Sequence, residues 1–397
     1  MKNYDIHDRE RLTLFLDIEL MAPLSHISGT QSNISLLRTE PIVTWDGTVE
    51  DVFVYSGNAL RNGTILRRGG AAHFLTELGL KVDIDSHHTI FAGGRGGGGG
   101  NNMELDTKLR QLLPPISVLG TDKDKGLWGE AKPQMIPGRI NVGAAYLVCY
   151  EQAPYVTETM PGVLPHEIQQ DCIAIQKAFR AISSNPMTPS DPEAIATYES
   201  LKRECLPRIR KLLPRYRTLI GIPTHYKVPS LSDPRLQPLL QGNAEELPKG
   251  QLNLLGSSDK KKPEPREDKG DRMLQSDQLI VKGSRMVSRW DLHTTRVETG
   301  WIVDSLLRFG ESPYLGGKLN RGCGLVNINI YWQQNNRNNG QPVTESGHFL
   351  SLQTGQQQIG DKAQGYHERY REYLSDYRQY LQESADAEGL RGLLNGN

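Results

Sequence analysis

Tyr314-Leu315-Gly316-Gly317-Lys318-Leu319-Asn320-Arg321-Gly322-Cys323-Gly324 runs without a break into the strand-like stretch Leu325 to Trp332. Its glycines allow a backbone to come close to another chain, a ribose-phosphate chain included. Lys318 is followed by Leu319 where a phosphate-binding P-loop needs Ser or Thr, and a strand follows where a dinucleotide fingerprint needs a helix. The stretch therefore disfavours a nucleotide-hydrolysing or Rossmann-type enzyme. Read on its own, it is equally a tight loop with no ligand.

Upstream, Leu12 to Leu20 turns from near-continuous apolar to strict alternation, which predicts a strand with one buried face opening the fold. Val52 to Tyr55 predicts a second. It meets Ser56-Gly57-Asn58, which turns the chain and caps a helix from about Ala59 to Leu78, ending at Gly79. Gly63, Gly69 and Gly70 each weaken that helix by about 1 kcal/mol relative to alanine. Residues 139 to 149 predict a strand, and Ile168, Cys172, Ile175, Phe179 and Ile182 recur at helical spacing from a start near Pro165. A further helix starts at Asp191-Pro192, with breaks expected at Pro207 and Pro214. Strand character returns at 297 to 309 and 324 to 332. Tyr366, Tyr370, Tyr373, Tyr377 and Tyr380 then share one helical face within 361 to 394, to pack on their own domain or on a neighbouring subunit.

The chain has 397 residues, 40 of them glycine and 23 proline, which predicts many turns and long loops around an ordinary core. Forty-six basic residues balance 46 acidic ones, so any nucleic-acid binding must come from a local patch. The cysteines, Cys149, Cys172, Cys205 and Cys323, form no C-x-x-C pair, against a zinc ribbon or disulfide scaffold and in favour of a reducing cytoplasm. No stretch approaches the roughly 18 apolar residues that span a bilayer, so no membrane association is expected. Residues 93 to 100, Gly93-Gly94-Arg95 and five more glycines, read as a mobile surface loop. Residues 257 to 271, charged and without an apolar residue, read as a linker or insertion.

Two local patches stand out. From Ser56 to Thr76 there is no acidic residue, while Arg61, Arg67, Arg68 and His73 are present; a helix start and positive charge together suit phosphate, with a plain solvated basic face as the alternative. Lys202, Arg203, Arg208, Arg210, Lys211, Arg215 and Arg217 have only Glu204 to offset them in sequence. No spacing assigns a nucleophile, base and orienter, and none assigns a metal cluster; catalytic residues, metal and cofactor are all expected to be absent.

The order of these pieces resembles the CRISPR-associated RAMP superfamily, in particular its backbone subunits, which coat the guide RNA in multisubunit effector complexes. The residues that carry the resemblance are Met21 to Thr30, Tyr55 to Arg61 through Arg67-Arg68, and the loop Gly316 to Gly324. His88 to Gly94, Leu113-Pro114-Pro115 through Gly120, and Met135 to Val142 look most like the type IV backbone subunit. The resemblance covers roughly 10 to 150 and 285 to 332.

It implies an α+β fold: a modified ferredoxin-like, RNA-recognition-type core with a helical insertion, a thumb-like hairpin and a C-terminal helix. The implied divisions are 1–150 as the first part of the core, 151–256 as the helical insertion, 257–271 as the linker, 272–360 as thumb candidate and second part of the core, and 361–397 as the C-terminal helix. The implied partners are guide RNA (crRNA), other copies of the chain stacked head to tail, other effector subunits, and target DNA or RNA through base pairing.

Candidate RNA contacts are His26, Ser28 and Gly29; Ser56, Gly57, Asn58, Arg61, Arg67 and Arg68; Gly93, Gly94 and Arg95; and Gly316, Gly317, Arg321, Gly322 and Gly324. The thumb is expected at Ile280 to Trp290, with Met286 and Trp290 pressing on bases and Arg285 and Arg289 on phosphates. The alternative there is that Met286 and Trp290 are core. In type III relatives an aspartate after the first strand cleaves bound target RNA. Thr39 stands where that aspartate would, which argues for a non-catalytic subunit, with a metal-dependent RNA endonuclease using Glu40 or Asp46 as the alternative. A small-molecule binding protein is the third reading.

Overall fold

The computed structural model describes residues 5–31, 34–45, 48–82, 87, 90–91, 103–121, 136–183, 192–227, 273–338 and 341–384. Asp46, the loop residues Gly93, Gly94 and Arg95, and the segment 257–271 lie outside these.

The opening alternation produces β1 (Arg9–Leu20), in which Leu12, Leu14, Leu16, Ile18 and Leu20 are buried on one face while Arg11, Thr13, Phe15 and Asp17 take the other. It is followed by β2 (Ile27–Gln31), β3 (Ile34–Leu37), β4 (Thr39–Val43) and β5 (Val49–Tyr55). The helix expected over 59–78 is interrupted: α1 (Gly57–Asn62) gives way to a π-helical turn (Leu66–Ala71) and then α2 (Ala72–Glu77), where glycines weaken the ladder. Next come α3 (Met103–Leu112), α4 (Pro114–Leu119), β6 (Ile140–Val142) and β7 (Ala145–Leu147). A helical group follows: α5 (Ala153–Thr159), α6 (His166–Ser183) and α7 (Pro192–Leu212). The short strands β8 (Ile220–Gly221), β9 (Thr224–Lys227), β10 (Met273–Asp277) and β11 (Leu279–Ile280) lead to β12 (Arg285–Thr295), α8 (Arg296–Glu311), β13 (Val326–Asn338), β14 (Gln341–Gln353), β15 (Gln356–Ile359) and α9 (Asp361–Ser384).

The main sheet has the order β15-β14-β13-β1-β12-β7-β5-β4, with β6 also on β12. Every pairing in it is antiparallel. Strands β12 and β13 flank β1 and are joined by α8, so the chain crosses over β1 in a split β-α-β unit. A smaller sheet, β2-β3-β10-β9, and the pair β8-β11 complete the strands. The fold is thus α+β with an antiparallel sheet. Helices α8 and α9 cover one face of the main sheet, where Trp290, Trp301, Phe349, Tyr370 and Tyr377 are fully buried. Helices α5 to α7 cover part of the other face through a second cluster that includes Trp45, Tyr150, Val156, Cys172, Ile209 and Val287.

Three expectations are corrected. Residues 297 to 309 are helix, not strand. Thr295 caps α8 by accepting from the Glu298 N–H, and Glu298 returns the bond to the Thr295 N–H at 2.8 Å, while Val297, Trp301, Ile302, Val303, Leu306 and Phe309 are buried on several sides. A helix buried nearly all round, with Glu298, Thr299, Asp304 and Ser305 among its buried residues, carries no clear period and is easily read as a buried strand. Pro207 lies inside α7 without ending it, because buried Cys205 and Ile209 and the Arg208–Asp171 ion pair (2.7 Å) hold both sides of it against α6. The thumb is not at Ile280 to Trp290. There, β12 forms one of the two strands that flank β1, with Met286 opposite Ile18 and Trp290 opposite Leu14, both side chains fully buried. Among the described residues, the ribbon formed by β13 and β14 extends past its neighbour, staying paired out to Asn338 and Gln341 although β1 follows β13 only as far as Gln333.

The tyrosine stripe of α9 packs on its own chain. Tyr366, Tyr370, Tyr373 and Tyr377 are buried, with Tyr373 donating to the Gln111 carbonyl at 2.9 Å and Tyr366 to Glu10 at 2.6 Å.

Candidate nucleic-acid interface

Segments separated by nearly 300 residues meet at one seam. The end of β5 delivers Tyr55, whose ring lies 4.4 Å from that of His26 and whose hydroxyl accepts the Gly316 N–H at 3.0 Å. The Gly317 N–H donates to the Ser25 carbonyl and the Gly324 N–H to the Pro23 carbonyl, both at 2.8 Å. Thr64, in the turn after α1, donates to the Tyr314 carbonyl at 3.3 Å. Gly316 and Gly324 sit at φ +78° and +91°, and a Cβ on either would fall within 2.1 Å of the Ser25 or Leu315 carbonyl oxygen. Only glycine fits both the conformation and the space. The loop is closed by Lys318, Arg321 and Gly322 (φ +71°).

The charges of the seam are partly internal. Asp277 receives Lys318 and, at 2.8 Å, Arg321. Burial raises the Asp277 carboxyl, but the hydrogen bonds from Lys318 and Ser35 and the charges of Lys318 and Arg321 outweigh it, so the group stays below its ordinary value. Arg321 keeps two-fifths of its side chain exposed. His26 is pushed down to about 4 by burial and by Arg38, so at neutral pH it is an uncharged ring. Its Nε2 is buried and has no hydrogen-bond partner among the described residues. Ser28 donates to the Leu37 carbonyl at 3.2 Å, and Gly29 faces open space.

The basic helix is divided. Ser56 caps α1 by accepting from the Ala59 N–H at 3.2 Å. Gly57 is pressed against β6, where a Cβ would meet the Val142 carbonyl, and Asn58 bonds to Asn62. Arg61 donates to the Leu119 carbonyl, and burial lowers its pKa. Arg67 is 5% exposed and donates to Asn62, to the Ile90 carbonyl and to the Gly120 carbonyl at 2.8 to 3.2 Å; burial first, then Arg61, brings it down to about 10. Both therefore brace backbone, Arg67 from a buried position and Arg61 from a half-buried one. Arg68 alone of the three points to solvent. Arg285, Met286 and Trp290 are not at the seam: the latter two are core, and Arg285 pairs with Asp17 at 2.6 Å on the other face of the sheet.

The second basic cluster is partly offset. Arg208 pairs with Asp171 and Arg215 with Glu151 at 3.0 Å, both distant in sequence, Lys202 pairs with nearby Glu199 at 3.1 Å, and Arg210 and Arg215 lie over the Tyr150 ring. Thr39 begins β4, and the neighbouring Glu40 is exposed and paired with Arg38 at 3.4 Å. His73, Glu77 and Asp304 come close enough to share a cation. Arg308 contacts His73, while Arg371 and Arg378 contact Glu77, so positive charge already stands where a metal would. No described helix is long and apolar enough to cross a membrane.

What sequence reasoning missed at this seam is Asp277, which ties down the loop, and the bracing role of Arg61 and Arg67. An acid so far from the loop in sequence gave no local signal. No family model matches the chain, and no curated protein does. Among solved structures the chain is similar to a chain of a type IV-B CRISPR complex, with 14% identity and a TM-score of 0.43, over 80% of this chain and 90% of that one.

Proposed function

We propose that this chain is a guide-RNA-binding backbone subunit of a CRISPR effector complex, non-catalytic, with copies stacked head to tail along the RNA. The observation that carries the reading is the convergence of Ser25 and His26, Tyr55 and Ser56, and Gly316 to Gly324 at one seam, the same three motifs on which the resemblance to the RAMP superfamily rests. The strand order around β1 supports a ferredoxin-like core: β13-β1-β12 followed by β7 or β6 is the 4-1-3-2 order of a βαββαβ unit. Exposed Arg321 and Arg38, with exposed Arg68 in the π-helical turn that follows Thr64, offer charge to phosphates, backbone near Gly29 and Gly322 offers close approach, and sequence is left to base pairing.

The test is binding of single-stranded RNA by the full chain across a salt series. An Arg68→Glu, Arg321→Glu double variant should bind at least tenfold more weakly and with a shallower salt slope, since each lost phosphate contact releases fewer counterions. Unchanged affinity and slope in a folded variant would refute the assignment of the seam. Incubating the assembled complex with complementary RNA and magnesium separates the endonuclease reading, because only a nuclease would cut, and would stop cutting in Glu40→Ala or in Asp46→Ala.

A further inference from the structure

Helices α5 to α7 cover only part of their side of the main sheet, ending where Val287 and Phe15 meet Met160. Beyond that edge a strip of β1, β12 and β13 is left open by the described residues. Phe15 stands opposite Tyr331 in register, Tyr331 is 39% exposed, and its ring meets that of His348 edge-on at 6.3 Å. These three line an open cleft of about 610 Å³ whose far wall is the turn Met160 to Val163.

Four residues along β1, about 13 Å at ~3.3 Å per residue, Arg11 stands opposite His293. Arg9, Arg110, Arg139 and His293 line a second open cleft of about 520 Å³, and Asp291 borders it on the side of the aromatic cleft. The two carboxylates that line the clefts are already matched: Asp17 by Arg285, and Asp291 by Arg289 at 2.9 Å and by the Thr13 hydroxyl at 2.9 Å. Arg139 is taken by Glu298. Arg9 and Arg11 have no acidic side-chain partner among the described residues, and both are exposed. His293 registers the resulting field: burial, then Arg9, Arg11 and Arg139, lower its pKa.

We propose that this strip is a second nucleic-acid contact surface, on the opposite side of the sheet from α8 and α9, where Phe15 and Tyr331 stack on bases of a single-stranded segment while Arg9 and Arg11 hold its phosphates. The exposed Tyr331 ring and the half-buried Phe15 ring, beside arginines without an acidic partner, suit single-stranded RNA, whose unstacked bases find a π-face and whose phosphates find charge. The inference rests on the RNA-binding reading and adds a path away from the seam.

The test uses the full chain and a fluorescent dodeca-uridylate, with Tyr331→Ala, Phe15→Leu and Arg11→Glu compared with the Arg68→Glu, Arg321→Glu variant of the seam. Phe15→Leu keeps an apolar side chain on the second core and removes the stacking ring. Each strip variant should weaken binding roughly fivefold or more, and ultraviolet cross-linking should recover uridine on the peptide bearing Tyr331. If the strip variants bind as the parent does while the seam variant is weakened, the strip is overturned and the guide-RNA reading stands. Weakening by the strip variants alone supports the strip and refutes the seam, and absence of RNA binding by the parent chain refutes both.

Discussion

His26 shows how one side chain can be chosen for a charge it does not carry. A histidine near a phosphate site invites the role of a cation, yet burial between Tyr55 and Phe53 and the nearby Arg38 keep it neutral well below its ordinary value. The folded form resists protonation that the unfolded chain accepts at about 6.5, so this contribution to stability is complete above that pH and is lost as pH falls toward 4. Thermal melts from pH 7 to pH 4 should therefore show a steeper loss for the parent than for His26→Phe, which keeps the ring and removes the titration. Parallel curves would contradict the assignment. Arg67 makes the same point for arginine: in sequence it is one of a basic trio, and in the fold its buried guanidinium donates to Asn62 and to the Ile90 and Gly120 carbonyls.

At the scale of elements, the start of α8 joins three parts of the chain through one carboxylate. Glu298, fully buried, accepts from Thr295 within the cap, from Arg139 at 2.6 Å and from Ser117. Thr295→Ala should cost about 1 kcal/mol, the usual loss of a cap. Glu298→Ala should cost about 3 to 5 kcal/mol, because Arg139 is left as a nearly buried charge without its partner. Urea unfolding measures both, and a Glu298→Ala loss no larger than that of Thr295→Ala would contradict the joint role. The elements legible from sequence were those with a strict period: β1 by alternation, α6 and α9 by the spacing of three and four. Where burial is two-sided, as in α8 and β12, the period vanishes, and Trp290 was open to reading either as a wedge on bases or as core. The glycine loop was legible as a tight turn, but its ties to Ser25, Tyr55 and Asp277 were not, since nothing local links residues so far apart.

For the whole molecule, the position of β1 has a consequence for how the chain is made. Strand β1, made long before its partners, lies between β12 and β13, and Asp17 and Arg285, which pair from β1 to β12, stand 268 residues apart. At roughly 5 to 20 residues per second, the core-facing leucines of β1 wait on the order of tens of seconds for their partners. During that interval a row of unpaired backbone and apolar side chains is an adhesive edge. A chain ending before β12 should accordingly stay unfolded and associate, measured by near-ultraviolet dichroism and light scattering, and a compact soluble fragment would argue against this order of events. Assembly of the central sheet thus waits for β12 and β13, however early its first strand is written, and exposure of that strand during synthesis follows from topology alone.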